Sequence, residues 1–451
     1  DSSGPAGTIS GGALDLRLVG LRVANNTGGG LITNIGGGGL EVILSEFVGN
    51  GITEPGLTVN GNGPRTLVAN DFESNAGGGL ELNNDSSGWP VSAVYASNLE
   101  GNGGYALRMQ TGSLPADARR NWWGALNGVM GSYPANVSGI WDIHDDPTLR
   151  HVDFRENLGG ALANDTDVKS YLVFPANGMN ENEMVIYGGA VAREGILRVE
   201  VSTNGGADWT DATVEGAAFS LAWAPSPGVY TVMSRVTDML GTPEAAPDSK
   251  VVTIGSGPTL TGTLLGDETW TGPAPIVLQG DVVVPAGTTL TIDPGTTIHS
   301  QFLTDAAYSG LDPSRIEIIV EGVLESNGAL GNEVVWDSSR VGGGALKGDW
   351  YGIRYRDTTT DELSILTDTE IGHGVNCLKL EDAAPDVLDS TIYNCSEDGL
   401  SGDSGALSKA LWILSGNTIQ DCDGDGVDVI GETEVEVIGA TITGNGGRGL
   451  D

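Results

Sequence analysis

The sequence predicts an all-β protein in which parallel β-helix segments flank an antiparallel β-sandwich. Three observations predict it. An apolar residue followed three places later by asparagine returns at Val23–Asn26, Phe47–Asn50, Phe72–Asn75 and Leu99–Asn102, with start-to-start spacings of 24, 25 and 27 residues. The frame reappears near the other end as Ile392–Cys395, Ile419–Cys422 and Ile442–Asn445. Between the glycines, segments such as ALDLRL, LEVIL and ALRMQ alternate apolar and polar residues. That is the period of a strand, not of a helix.

A repeat of this length cannot bury a core by itself and must stack on its neighbours. The recurring asparagine then lies at a bend between strands, where left-handed or bridge backbone is tolerated. Its amide reaches the equivalent residue of the coils above and below, about 4.8 Å away. Asn26, Asn50, Asn75, Asn102 and Asn445 are therefore read as a structural ladder.

The I-x-x-N-x-x-x-G-[LV] coil resembles the right-handed parallel β-helix of the pectate-lyase-like superfamily, across roughly residues 10–160 and 257–451. The resemblance implies a right-handed solenoid. It says little of activity, because that superfamily contains lyases, hydrolases, adhesins and structural proteins.

In chain order, residues 1–118 are coils entered in mid-solenoid. Residues 119–163 begin with RRNWWGALNG and lose the coil pattern. NWWG followed by an Ile-x-Asp-x-x-Asp-Asp stretch resembles the terminal block of β-helix surface proteins. Trp122, Trp123 and Trp141 are the expected cap over open strand edges, with sugar stacking as their alternative role. Residues 164–256 read as about seven antiparallel strands of an immunoglobulin- or fibronectin-like sandwich without paired cysteines; Trp209, Trp223 and Tyr230 are assigned to its core. Residues 257–451 open a second solenoid at DVVVPAGTTLTIDPGTTI.

The first solenoid thus has a cap but no opening coils, and the second has opening coils but no cap. Joined end to end, the C- and N-terminal residues are expected to read as one continuous solenoid. Leu14, Leu16, Leu18 and Val23 at one end, and Val435, Val437, Ile442 and Leu450 at the other, are the expected head-to-tail surfaces.

Composition narrows the partners. The 451 residues include 21 basic and 60 acidic side chains, a formal charge of −39, which repels nucleic acid and anionic membranes. Glycine, at 71 residues, is about twice as frequent as usual. No apolar run reaches the roughly 18 residues of a membrane span. Sequons at Asn25, Asn84, Asn136, Asn164 and Asn394 are near the chance number for such a chain. The expected location is extracellular or at the cell surface.

Chemistry-bearing motifs are few. The GHG around His373 resembles the polygalacturonase histidine motif. The carboxylate pairs and the Arg-Ile-Lys of those enzymes are missing at coil spacing, and Asp145–Asp146 lie in another region, so His373 is read as structural. DCDGDGVDVIGE fits a calcium loop through Asp421, Asp423, Asp425 and Glu432, although Asp428 stands where such loops are usually apolar. A solvated acidic turn is the other reading. Cys395 and Cys422 occupy the ladder position in successive coils, within disulfide reach; stacked thiols are the alternative, and Cys377 is left free. The expected function is a non-catalytic extracellular structural or adhesive protein that assembles head to tail. The alternative is a carbohydrate-binding protein, or a polysaccharide lyase or hydrolase.

Overall fold

A computed structural model describes residues 5–12, 15–83, 92–110, 115–128, 134, 136–162, 168–175, 185–254, 257–340, 344–356, 363–404, 411–431 and 434–451. It is nearly all β, and its strands fall into parallel stacks and antiparallel sheets. The chain forms two compact units, one of residues 1–179, 184–224 and 229–253, the other built on 254–451. No helix among the described residues is long and apolar enough to cross a membrane.

The first unit begins with six coils. Two six-stranded parallel sheets and a shorter third one run along them, the third continued by bridges from Asp71 to Asn98 and on to Trp122. Register follows the leucines: Leu31, Leu57, Leu80 and Leu107 are paired one above the other and point inward. Phe47 stacks on Phe72 inside, with ring centroids 5.2 Å apart.

The asparagine ladder is present, with one correction. Asn50 Nδ2 donates to Asn75 Oδ1 at 2.8 Å and to the Val23 carbonyl of the preceding coil at 3.0 Å, while Asn75 Nδ2 donates to the Phe47 carbonyl at 2.7 Å and to Asn102 Oδ1 at 3.0 Å. Each ladder oxygen accepts from the backbone N–H of the coil before, as Asn75 Oδ1 does from Asn50 at 3.1 Å. The left-handed residue, however, is the one before the ladder asparagine: Asn25, Gly49, Ser74 and Gly101 have φ between 54° and 66°. The bend turns the chain there, which frees the next side chain to point inward along the stack.

A second internal ladder follows the second strand of each coil. Ser45, Asn70, Ser97 and Asn121 are buried, and the N–H groups of Ser45, Asn70 and Ser97 donate to the next member at 3.0, 3.1 and 2.8 Å. A left-handed residue again precedes each one: Leu44, Ala69, Ala96 and Arg120. An outer column, Asn34–Asn60–Asn83, is linked amide to amide at 2.8 and 2.6 Å.

Strands within residues 168–175 and 185–254 form two four-stranded antiparallel sheets. Leu172, Ile186 and Ala190 of one pack on Val199, Val201, Val232 and Val236 of the other. This sandwich belongs to the same compact unit as the first six coils. Tyr171, Val173, Phe174 and Tyr187 cluster with Ile43, Leu44, Val68, Ala69, Tyr95 and Ala96 of the solenoid. The apolar left-handed corner residues are thus covered by the sandwich. Beside them Arg119 is buried against Asp117, with Nε and a terminal nitrogen 2.9 and 2.8 Å from its carboxylate, and it also donates to the Tyr187 hydroxyl.

The cap differs from the expected one. Trp123 alone is fully buried, in the cluster with Val137, Ile140, Val152 and Phe154. Trp122 instead continues the third sheet and donates to Glu100 at 3.1 Å, and Trp141 faces outward. Alternation explains this: adjacent residues of an extended chain point to opposite faces. The end is closed by brevity, with last strands Ile140–Trp141 and Val152–Asp153 of two residues each. Asp142 ties the final turn, accepting from the His144 N–H and the Val152 N–H, both at 2.9 Å. Asp145 and Asp146 serve the same turn, Asp146 accepting from the Thr148 N–H at 3.0 Å.

The second unit stacks seven coils in three seven-stranded parallel sheets. Residues 301–315 form a long excursion seated on buried carboxylates. Asp305 accepts from the N–H groups of Asp281, Ala307 and Ser309, and Glu317 from those of Leu311 and Asp312. Asp281 accepts from the Glu317 N–H at 2.7 Å and the Ser309 hydroxyl at 2.7 Å, and Arg354 reaches Glu317 at 3.2 Å.

The two units should respond oppositely to pH. Burial pushes His151 down to about 4, so below its ordinary value near 6.5 the unfolded chain takes up a proton that the folded chain refuses. Stability is lost as pH falls through that window, by about 3 kcal/mol at most. Asp305 is pushed up to about 7, mainly by burial, and Asp281 and Glu317 are raised as well. Their stabilisation is complete below the ordinary carboxylate range and lost as pH rises towards 7. Hydrogen exchange, corrected for its intrinsic rate, should show peptides near residue 151 better protected at pH 7 and those over 301–317 better protected at pH 4.5. The same sign in both would overturn the assignment.

Candidate functional site

The cysteines pair differently from the sequence expectation. Cys377 is bonded to Cys395, with Cα atoms 5.8 Å apart, and Cys422 is a free, buried thiol. The reason lies in the glycine that precedes the first strand of most coils. A methyl placed on Gly56, Gly79 or Gly426 would lie 2.7–2.8 Å from the amide nitrogen of the next ladder asparagine, Asn75, Asn102 or Asn445. The same point on Gly399 lies 3.3 Å from the Cys422 sulfur. Cys377 occupies this glycine position, so the side chain it meets is the following ladder residue, Cys395. The disulfide replaces a glycine–asparagine contact, and Cys422 faces Gly399 instead. Burial raises the pKa of the Cys422 thiol.

The calcium loop is not assembled as expected. Asp423 is paired with Lys347 at 2.6 Å. Asp421 is the left-handed residue before Cys422, and Glu432 lies outside the described residues. Among the described residues, Asp425, Asp428 and Asp451 are the three carboxylates that approach closely, with oxygens within 4.8 Å. Coil stacking explains part of the change, since it brings Asp451 of the next coil beside Asp425 and Asp428. Asp425 also accepts from the Arg448 N–H, and the pKa of Asp428 is raised by burial and by Asp398, Asp425 and Asp451.

His373 holds the left-handed position of its coil. Its Nδ1 lies 2.6 Å from Asp337 Oδ1, and Asn394 donates to Nε2 at 3.2 Å. Tyr393 crosses it edge-on at 5.4 Å and donates to Asp337 at 3.2 Å.

The end coils carry the expected apolar residues in part. Leu16, Leu18 and Val23 pack partly buried under the second coil, and Leu14 lies outside the described residues. At the other end Val437 is 37% exposed and Leu450 55%, Ile442 is partly buried, and the side chain of Val435 is not among those described. Leu450 bridges Val427, and Gly7 pairs with Leu31, so both stand in the first-strand position.

One outer face combines aromatic and polar groups. In the column Glu81–Arg108–Trp141, the Arg108 guanidinium lies 5.7 Å from the Tyr105 ring and 5.9 Å from the Trp141 ring, and 3.7 Å from Glu81. The Tyr105 hydroxyl donates to Glu81 at 3.1 Å. Trp141 is 44% exposed. Behind Tyr105 opens a cavity of about 250 Å3, bordered by Asn102, Gly104, Trp123, Ser138 and Gly139. The single residue Trp141 could have been assigned to this face from its place on an alternating strand. The outer asparagine column was hidden by its unequal spacing of 26 and 23 residues.

No protein-family model and no curated protein matches this chain, so its relationships rest on the fold alone: an all-β protein of parallel solenoid coils and antiparallel sheets.

Proposed function

We propose that the protein is a non-catalytic structural or adhesive component that works outside the cell. The observation that carries this reading is the weld between solenoid and sandwich. An apolar cluster and the buried Arg119–Asp117 pair make them one compact unit, which suits a stiff display scaffold better than a hinged enzyme. The Cys377–Cys395 disulfide supports an oxidising compartment. The charge of −39 favours a solvated, polyanion-repelling surface. Proteinase K added to intact producing cells should remove the protein while a cytoplasmic marker survives, and the purified protein should release no unsaturated or reducing ends from pectin or alginate. Survival of the protein, or product above a heat-killed control, would overturn the proposal.

Carbohydrate binding is retained as a second reading because of the exposed Trp141 beside Arg108, Tyr105 and Glu81. Head-to-tail self-association remains part of the structural reading.

A further inference from the structure

We propose that the cavity under the outer edge of the sandwich, bordered by Tyr95, Tyr187, Thr213, Glu215, Ala218 and Ser220, binds a small organic cation: a primary ammonium on a short alkyl stem. The inference is independent of the structural and adhesive reading above.

Strand alternation builds the cavity. Antiparallel pairing sets Tyr187, Ser220 and Thr213 in one cross-strand row, and Gly189, Ala218 and Glu215 in the next. Partners in such rows share a face. The positions between them, Phe219 and Val214, point into the core of the sandwich. Tyr187 belongs to the cluster that joins the solenoid, and a methyl placed on Gly189 would come 3.1–3.3 Å from Val68 and Tyr95. There the sheet touches the solenoid. One strand further out stand Ala218 and Ser220, whose short side chains leave a cavity of about 180 Å3.

The lining divides into an apolar floor and a polar rim. The Tyr95 hydroxyl donates to Asp117 at 2.9 Å, and the Tyr187 hydroxyl is held by Arg119 and Asp117. Both hydroxyls are thus committed, and the two rings offer the cavity apolar surface that suits an alkyl stem. The rim carries the Thr213 and Ser220 hydroxyls and the exposed Glu215 carboxylate. Glu41 of the second coil stands beside it: a methyl on Gly216, next to Glu215, would come 3.2–3.3 Å from the Glu41 carboxyl group. Arg17 holds Glu41 Oε2 at 2.7 Å, whereas Oε1 is buried and has no hydrogen-bond partner among the described residues. A buried carboxylate oxygen without a donor is rare and costly, and points to a donor that arrives from outside.

Charge and size select the ligand. No basic side chain lines the cavity among the described residues. The cations close by are already answered, Arg119 by Asp117 and Asp153 and Arg17 by Glu41. The chain as a whole carries −39, which repels anions and concentrates cations at its surface. The volume lies below the roughly 300 Å3 at which sites for drug-sized ligands begin, so the ligand has few heavy atoms. A bare metal ion would leave the aromatic floor uncovered. A neutral alcohol brings one donor to this rim of acceptors, where an ammonium brings three.

The test is isothermal titration of the whole protein with butylamine at physiological ionic strength, beside ammonium chloride, butan-1-ol and butyrate. One saturable site for butylamine is expected, with each of the other three weaker by about ten-fold or more. Glu215→Gln, at an exposed side chain, should weaken butylamine by about ten-fold. Ser220→Leu should fill the cavity and abolish binding. Glu194→Gln removes the same charge from another turn of the sandwich and should leave the affinity unchanged, and melting temperatures confirm that each variant is folded. Undiminished affinity in Glu215→Gln, unsaturable uptake of amine shared by both glutamate variants, butan-1-ol binding as tightly as butylamine, or no binding of butylamine would each overturn the site. The export and cleavage assays judge the scaffold reading separately.

Discussion

Asn75→Ala should destabilise the first unit by about 4 kcal/mol. Asn75 is fully buried. Its amide nitrogen satisfies the Phe47 carbonyl, and its oxygen accepts from both the backbone and side-chain nitrogens of Asn50. Alanine removes all of these at once and leaves buried backbone groups of two coils without partners, each worth about 1–3 kcal/mol. For a unit of this size the melting temperature should fall by roughly 10 °C. Asn26→Ala is the control. It lies on the first coil, half-buried, and its amide donates to Asn50 alone, so its loss should cost no more than about 1 kcal/mol. Calorimetry of both variants reads the difference, and equal losses would mean that the ladder is ornamental to stability.

The second large effect is expected at the weld. Arg119→Ala leaves Asp117 and Asp153 buried with their shared cation gone. Arg155 still serves Asp153, at 2.6 Å, but Asp117 keeps only neutral partners, the backbone N–H of residue 119 at 3.3 Å and the hydroxyls of Tyr95 at 2.9 Å and Tyr187 at 3.4 Å. Breaking a buried pair in this way costs about 3–5 kcal/mol. The loss should appear in the same calorimetric transition that Asn75→Ala shifts, because solenoid and sandwich form one unit. A double variant, Arg119→Met with Asp117→Asn, should recover part of it by removing the stranded charge. A separate low-temperature transition of the sandwich alone would contradict the weld.

Much of this architecture was legible from period and alternation. Strand alternation located the coils, and the Asn ladder emerged because one residue type recurs at one place. The second ladder did not emerge, since Ser45, Asn70, Ser97 and Asn121 alternate two residue types that do the same hydrogen-bonding work. Leu44, Ala69 and Ala96 carried an unread signal. Apolar side chains at left-handed corners are costly on a free surface, and their presence in column marks a covered face. The cysteine pairing was recoverable from the rule that the pre-strand glycine meets the next ladder residue, but that rule is a distance, visible only once the coils are stacked. The acidic turn failed for the opposite reason: a linear spacing motif was applied where neighbours in space are about one coil apart in sequence.

The direction of the ladder bonds bears on how the chain is made. Asn50 closes the Val23 carbonyl and the Asn26 N–H, and Asn75 does the same for Phe47 and Asn50, so each of these coils is completed by the one that follows it. During synthesis the leading coil therefore waits, its inner polar groups open, until one more turn has left the ribosome. This direction predicts that folding advances one coil behind translation and that a pause after a coil exposes that coil alone.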